Sequence, residues 1–194
     1  MVEIRTLSGR EAQAYLQELA RLRIAVFREF PYLYDGDMAY EEEYLHTFFQ
    51  APDSVLVVVL DGGAVVGAST GLPLEQETAN IQQPFLEQGL EVGRIFYCGE
   101  SVLLPEYRGR GIGVRFFEER ERWARRLERF DTLAFCAVVR PEDHPRRPAD
   151  YVPLDAFWRR RGFERTELYC YISWRDLDET GESPKALRCW MKGL

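Results

Sequence analysis

Apolar and polar positions follow two periods along this chain, which predicts alternating strands and amphipathic helices. Val2–Leu7 alternates with a period of two, as in a half-buried strand. Residues 8–11 (Ser-Gly-Arg-Glu) have the form of a capping box and helical apolar spacing follows, so a helix is predicted to about residue 30. A loop containing Pro31 comes next, and a second helix is predicted over 38–50.

The central part of the chain predicts three strands. Residues 54–60 and 64–72 are apolar runs on either side of an Asp-Gly-Gly turn, which indicates an antiparallel hairpin. A polar insertion over 75–93 contains one short predicted helix. Residues 94–104 are rich in β-branched and aromatic side chains, and this predicted strand ends at Pro105 because proline cannot donate to a ladder.

The last part of the chain begins with a long amphipathic helix after Gly113. Its apolar residues recur at helical spacing, and Glu–Arg pairs four residues apart cover the polar side. A strand over 132–139, a short helix over 154–161 and two strands over 163–174 and 186–192 are predicted to follow.

A glycine-rich loop lies where the third central strand passes into the long helix. Residues 105–113 read Pro-Glu-Tyr-Arg-Gly-Arg-Gly-Ile-Gly. Glycines let the backbone turn tightly and approach a ligand with no Cβ in the way, and the helix N-terminus adds roughly half a positive charge. The loop therefore predicts a pyrophosphate cradle; the alternative is a glycine-rich turn that binds nothing.

Two better-known phosphate motifs are excluded by spacing. The chain contains no Gly-Lys-Ser or Gly-Lys-Thr, which a Walker loop requires. The dinucleotide fingerprint is Gly-x-Gly-x-x-Gly, whereas this loop has Gly109-x-Gly111-x-Gly113.

The motif Arg108-x-x-Gly111-x-Gly113 resembles the acyl-CoA-binding signature of the Gcn5-related N-acetyltransferase (GNAT) family, Gln/Arg-x-x-Gly-x-Gly/Ala. Residues 157–163, Phe-Trp-Arg-Arg-Arg-Gly-Phe, are similar to a second landmark of that family, a helix end written Phe-Tyr-x-x-x-Gly-Phe. The order of predicted elements also resembles the GNAT fold over essentially the whole chain.

The resemblance implies an α/β (α+β) fold in a single acyltransferase domain over 1–194, with a mixed central sheet of about seven strands flanked by helices. It implies that two strands splay apart so that acetyl-CoA, the acyl donor, can insert its pantetheine arm. The backbone of Val102, Leu103 and Leu104 would hold that arm. The pyrophosphate would be held by Arg108, Gly109, Arg110, Gly111, Ile112 and Gly113.

Glu100 is the candidate catalytic base. A carboxylate is costly to bury in this apolar strand unless it has a function or a partner, and in the GNAT family a carboxylate on this strand often deprotonates the amine. The alternatives are a structural ion pair with an arginine and a solvent-facing side chain. The family's usual tyrosine acid is replaced by Trp158, which has no titratable proton. Either the thiolate leaves unassisted or another hydroxyl serves as the acid, with Tyr151 and Tyr169 as candidates.

The loop between the first two helices is the candidate acceptor site, because the GNAT resemblance places substrate specificity in this loop and in the late strands. Tyr34 and Asp35 are the predicted substrate-binding residues, since aromatic rings and carboxylates suit a cationic amine. Ordinary loop packing, with Asp37 as a helix cap, is the alternative. His144, in a proline-rich loop, is a weaker candidate for proton transfer.

The charge balance bears on partners and location. A formal net charge of -7 argues against nucleic acid, which requires a basic surface. The sequence has no apolar run of membrane-spanning length and its N-terminus does not read as a secretory signal, so a cytoplasmic protein without membrane association is expected. Four scattered cysteines, without a Cys-x-x-Cys pair or a His cluster, are expected to be reduced core residues, and no metal site is predicted.

Two functional hypotheses follow. The first is an acetyl-CoA-dependent N-acetyltransferase that acetylates a primary amine of a small molecule or polypeptide, as a monomer or homodimer. The second is a catalytically weak GNAT-fold module that binds acyl-CoA or a protein partner, which the replacement at Trp158 favours.

Overall fold

A mixed sheet forms the centre of the protein, and helices cover both of its faces. The computed structural model describes residues 2–194, so the domain predicted from residue 1 begins one residue outside the described range. The strands are β1 (Val2–Leu7), β2 (Val55–Asp61), β3 (Ala64–Pro73), β4 (Ile95–Tyr97), β5 (Ser101–Leu103), β6 (Thr132–Val138), β7 (Glu164–Trp174) and β8 (Ser183–Gly193). The helices are α1 (Gly9–Gln13), α2 (Leu16–Phe27), α3 (Met38–Gln50), α4 (Ala79–Glu87), α5 (Ile112–Arg126) and α6 (Asp155–Arg159).

The strands lie in the order β1-β2-β3-β4-β6-β8-β7, and β5 pairs with β3 beyond the end of β4. Neighbours are antiparallel except for β4 and β6, which are parallel. This confirms the predicted α/β class with a mixed sheet. Within residues 2–194, no helix combines the length and the apolar character that crossing a bilayer requires.

Strand β2 shows why its sequence is continuously apolar. Leu56 and Val58 pack into a core shared with the helices α1 to α4. Val57 and Val59 point the other way and pack against α5. Because helices cover both faces, every position of this strand except the last is buried, and the period-two pattern disappears.

The strand predicted over 94–104 is interrupted by a β-bulge. Cys98, Gly99 and Glu100 stand opposite only Thr70 and Gly71 of β3, so one extra residue separates β4 from β5. The bulge is fixed by hydrogen bonds from the Gly99 N–H to the Thr70 carbonyl at 3.1 Å and from the Thr70 N–H to the Glu100 carbonyl at 3.0 Å. This interruption gives eight strands where about seven were predicted.

The first predicted helix is shorter and broken. Ser8 makes no side-chain capping bond, so the capping box does not form, and the helix is interrupted at Tyr15. Its second part ends at Phe27 because the chain turns back on itself there. The Tyr34 N–H then donates to the Phe27 carbonyl at 2.9 Å, and this hydrogen bond closes the loop.

Gly71 keeps the sheet beside the bulge closely packed. An added Cβ would lie 2.6 Å from Cε1 of the buried Phe96 ring and 3.3 Å from the Tyr97 carbonyl. We therefore expect Gly71→Ala to lower the free energy of unfolding by about 1–3 kcal/mol in urea denaturation, the cost of overpacking a core. Gly193→Ala is the control, because a Cβ there meets nothing within 4 Å. Equal stability of the two variants would contradict this account.

Candidate active site

The glycine loop forms an open cradle at the start of α5. Gly109 and Gly111 have φ angles of +74° and +80°, which side chains rarely adopt, and an added Cβ at either would meet nothing within 4 Å. Gly113 has no such requirement, because it lies inside the first turn of the helix. The N–H groups of Ile112 and Gly113 have no acceptor within the helix and are available to an anion, whereas Val114 already donates to the Gly111 carbonyl at 3.1 Å.

The two arginines of the loop flank this cradle. Arg108 is ion-paired with Glu29 at 2.9 Å and donates to the Leu103 carbonyl at 3.2 Å. Arg110 donates to the Glu106 carbonyl at 2.7 Å. Both side chains are therefore held near the loop by interactions that a bound phosphate could replace.

Strands β4 and β6 separate beside the bulge. They pair over Ile95–Tyr97, and the Cys98 N–H still reaches the Ala134 carbonyl at 2.7 Å. Beyond that point, β5 pairs only with β3 in the described sheet, so its second edge is open. Leu104 donates its N–H to Val66 on β3. Because backbone groups alternate along a strand, Leu103 is the one of the three predicted backbone residues that faces the open edge.

A cavity of 490 Å³ lies beside the bulge, on the face of the sheet that α2 and α3 cover, and Gly99 and Glu100 form part of its wall. The predicted residues Tyr34, Asp35 and Glu100 all line this cavity, although they come from distant parts of the sequence. Its charged lining comprises six carboxylates and two arginines: Asp35, Asp37, Glu41, Glu77, Glu100, Glu182, Arg23 and Arg175. Its aromatic lining comprises Phe27, Tyr32, Tyr34, Tyr40, Tyr44, Tyr97 and Trp174.

Arg23 connects two carboxylates in the cavity wall. Its guanidinium is hydrogen-bonded to Glu41 of α3 and lies 2.7 Å from Oε2 of Glu100 at the bulge. Burial would lower the pKa of Arg23, but Glu100, Tyr44 and Glu41 outweigh it and raise that pKa, so the arginine stays charged. The second oxygen of each carboxylate, Glu41 Oε1 and Glu100 Oε1, is buried and has no hydrogen-bond partner.

Glu77 is a buried carboxyl of the cavity, and no ion pair with a described arginine or lysine compensates it. It follows the 3-10 turn Leu74–Gln76 that comes after β3, and the Thr78 N–H donates to its Oε2 at 3.1 Å. Burial is the main cause that raises the pKa of Glu77 to about 7; the bond from the Thr78 N–H lowers this pKa, and the nearby Glu100 raises it. The cavity therefore contains a proton acceptor that titrates near neutral pH.

The predicted acceptor loop forms the other wall. Asp35 is ion-paired with Arg175 at 2.6 Å, so its charge is partly compensated. Burial, together with the charge and hydrogen bond of Glu41, raises the pKa of Tyr34, which keeps its hydroxyl protonated. Asp37 accepts the Tyr40 N–H at 3.0 Å and caps α3, as the alternative interpretation held.

A buried arginine anchors this loop to the sheet. Arg140 forms a two-pronged ion pair with Asp176, whose oxygens lie 2.7 and 2.9 Å away, and also donates to the carbonyls of Pro31 and Tyr32. The Trp174 indole donates to Asp176 as well. Tyr34 and Asp35 therefore follow a segment of the loop that these hydrogen bonds hold in place.

The candidate acids lie elsewhere. Trp158 packs with the rings of Phe135 and Trp190, each 5.1 Å away, in the core on the α5 side. Tyr151 packs against Phe30 at 4.7 Å, and neither it nor Tyr169 lines the cavity. His144 also packs against Phe30 and is not in the cavity lining.

Sequence reasoning missed Arg23, Glu41 and Glu77. The one signal available was a charged residue at a buried helical position, since Arg23 adjoins the apolar stripe of α2. Nothing in the sequence links Arg23 to Glu41 or to the bulge, because their contact depends on how α2 and α3 pack.

Comparison with known proteins identifies the fold. A sequence profile of the acetyltransferase (GNAT) family matches residues 19–163. A search of curated protein sequences finds no match.

Solved structures resemble the chain over its full length at low sequence identity. A ribosomal-protein-alanine N-acetyltransferase from Brucella melitensis has 16% identity and a TM-score of 0.62, covering 99% of both chains. A polyamine N-acetyltransferase from Drosophila melanogaster has 14% identity and a TM-score of 0.62, covering 100% of both. The loading GNATL domain of CurA from Lyngbya majuscula has 15% identity and a TM-score of 0.63, covering 100% of this chain and 98% of that one.

At these identities the structural likeness shows the fold alone. The profile match, however, covers most of the chain and includes the cradle, the bulge and the end of α6. The protein belongs to the GNAT acetyltransferase family.

Proposed function

We propose that this protein is a cytoplasmic, acetyl-CoA-dependent N-acetyltransferase that acetylates a primary amine carrying further positive charge. The observation that carries the proposal is the position of the bulge at Cys98–Glu100. On one side of it the sheet opens between β5 and β6, and on the other side it forms the wall of the acid-lined cavity. A donor in the opening and an acceptor in the cavity would meet there.

The residues present fit acetyl-CoA. The N–H groups of the cradle and the side chains of Arg108 and Arg110 would hold the pyrophosphate. The open edge of β5 at Leu103, whose carbonyl now accepts from Arg108, would hold the pantetheine amides. An added Cβ at Gly109 or Gly111 would project into the open cradle. When bound, acetyl-CoA supplies a thioester whose acetyl group can pass to a nucleophile.

The cavity lining supports a cationic acceptor. Six carboxylates face two arginines, and the surrounding rings offer faces to an ammonium group. The polyamine N-acetyltransferase of similar fold acts on an amine of this kind, forming N-acetylagmatine. The ribosomal-protein-alanine enzyme indicates that a polypeptide amine is the other possibility within the fold. Tyr34 and Asp35 would contact the acceptor at the loop.

Glu100 is the proposed base. It lies at the bulge, and its Oε1 has no partner, while Arg23 holds Oε2 in place. An acceptor ammonium must lose a proton before its nitrogen can attack, and a carboxylate within hydrogen-bond reach, directly or through water, can take that proton. Arg23 would then orient Glu100, and Glu77 adds a second proton acceptor in the same cavity.

Turnover by acetyl-CoA with an amine panel tests the proposal against the alternative of a binding module. We expect thiol release with a diamine to exceed release with a neutral monoamine, and release with an acidic amino acid to be lowest. Gly111→Glu should abolish CoA binding in titration calorimetry, because a negative charge enters the cradle. Gly111→Ala separates that effect from backbone strain and should weaken binding much less. CoA binding without turnover of any amine would favour the module.

The base assignment predicts that Glu100→Gln lowers kcat by roughly 10²- to 10⁴-fold, since glutamine cannot accept the proton. Glu41→Gln is the matched control, because it removes the other buried carboxylate that contacts Arg23. Melting temperatures should change similarly in both variants, whereas only Glu100→Gln should show the large loss of kcat. A comparable loss in both would make Glu100 a structural residue.

Glu77 predicts a pH-dependent difference in stability. Its folded pKa is about 7, above the unfolded value near 4.5, so the two states differ in protonation between those values. Below pH 4.5 both states are protonated; as the pH rises toward 7, the unfolded state ionises first and the wild type loses stability. The free energy of unfolding of Glu77→Gln, taken relative to that of the wild type, should therefore be about 3 kcal/mol higher at pH 8 than at pH 4. Urea denaturation at both pH values measures this, with the exposed Glu87→Gln as control; a pH-independent difference contradicts it.

A further inference from the structure

Three cysteines that are distant in sequence meet inside the sheet. Cys136 of β6 is the register partner of Cys189 on β8, and Cys170 of β7 is paired with Leu187, two residues before Cys189. Residues two apart on a strand share a face, so all three side chains project from the same side of the sheet. Their sulfur atoms all lie within 4.8 Å of one another, and all three residues are buried.

We propose that these three thiols form a binding site for a soft, thiophilic d¹⁰ cation, with Cu(I) as the best match. Sulfur-only donor sets select Cu(I) and Zn(II) over the hard cations Mg²⁺ and Ca²⁺. The cluster supplies three sulfur ligands and no histidine or carboxylate, which suits trigonal Cu(I) better than a closed tetrahedral zinc site.

The spacing of the sulfurs is compatible with a shared ion. Metal–sulfur bonds of about 2.3 Å place the three sulfurs of a trigonal site about 4.0 Å apart. The present Sγ atoms of Cys136 and Cys189 are 2.8 Å apart, so this pair would open by about 1 Å through side-chain rotation. The ligands come from three hydrogen-bonded strands, a rigid scaffold that keeps them together without the metal.

The cavity gives the ion a route to the site. Cys136 belongs to the cavity wall, whereas Cys170 and Cys189 lie behind it. The carboxylates of the cavity lining outnumber its two arginines, and this surplus of negative charge would attract a cation. Binding would convert the three thiols to thiolates and release up to three protons to solvent, with no change in the oxidation state of the metal.

The test uses the full chain, reduced and free of oxygen, with Cu(I) supplied as its bicinchoninate complex. One equivalent of Cu(I) should leave the chromophore and show a sulfur-only shell in X-ray absorption. Cys136→Ser, Cys170→Ser and Cys189→Ser should each lower the affinity at least 100-fold. Cys98→Ser is the matched control. Cys98 is buried in the core on the α5 side of the sheet, so this substitution should leave the affinity unchanged.

A second measurement needs no variant and covers the case in which a serine variant fails to fold. Protein with and without Cu(I) is exposed briefly to an alkylating reagent in the presence of denaturant, and mass spectrometry identifies the alkylated cysteines. Metal should protect Cys136, Cys170 and Cys189 but not Cys98. Retention of Cu(I) by bicinchoninate, equal affinity in Cys170→Ser, or equal alkylation of all four cysteines would overturn the site.

Discussion

The ion pair that Arg23 forms with Glu41 and Glu100 is the interaction on which the cavity depends. It joins α2, α3 and the bulge, three segments that no backbone hydrogen bond connects directly. An arginine is rarely buried unless it is paired, and breaking such a pair leaves a costly uncompensated charge. The two helices and the bulge are therefore held at one separation, and that separation fixes the width of the cavity.

The bulge connects the cavity to the opening in the sheet, the two places where the proposed acceptor and donor would bind. One extra residue between β4 and β5 ends the pairing of β4 with β6, and the Glu100 side chain there reaches Arg23 of α2. The bulge thus opens the sheet where the proposed pantetheine arm would lie, and it directs the Glu100 carboxylate to the proposed acceptor side. The carboxylates that line the cavity outnumber its arginines, and this surplus of negative charge would attract the proposed acceptor ammonium and the proposed metal ion alike.

The aromatic residues fall into two groups, those that pack in the core and those that line the cavity. Trp158 occupies the place of the family's tyrosine, but its half-buried indole packs against Phe135 and Trp190, so it stabilises the core rather than the reaction. Tyr32, Tyr44 and Tyr97 lie in the cavity instead. In the proposed reaction, a hydroxyl that assists the leaving thiolate would come from the residues that line the cavity or from solvent, because the two tyrosines proposed from the sequence lie outside the lining.

The sequence by itself determined the local features of this protein. Alternation located β1, helical spacing located α3 with Asp37 as its cap, and glycine spacing located the cradle, because each depends on residues close together in the chain. Tertiary structure decided the rest. The break at Tyr15, the bulge, the pairing of Arg23 with Glu100 and the convergence of three cysteines depend on which strands and helices become neighbours, and no short-range pattern records those contacts.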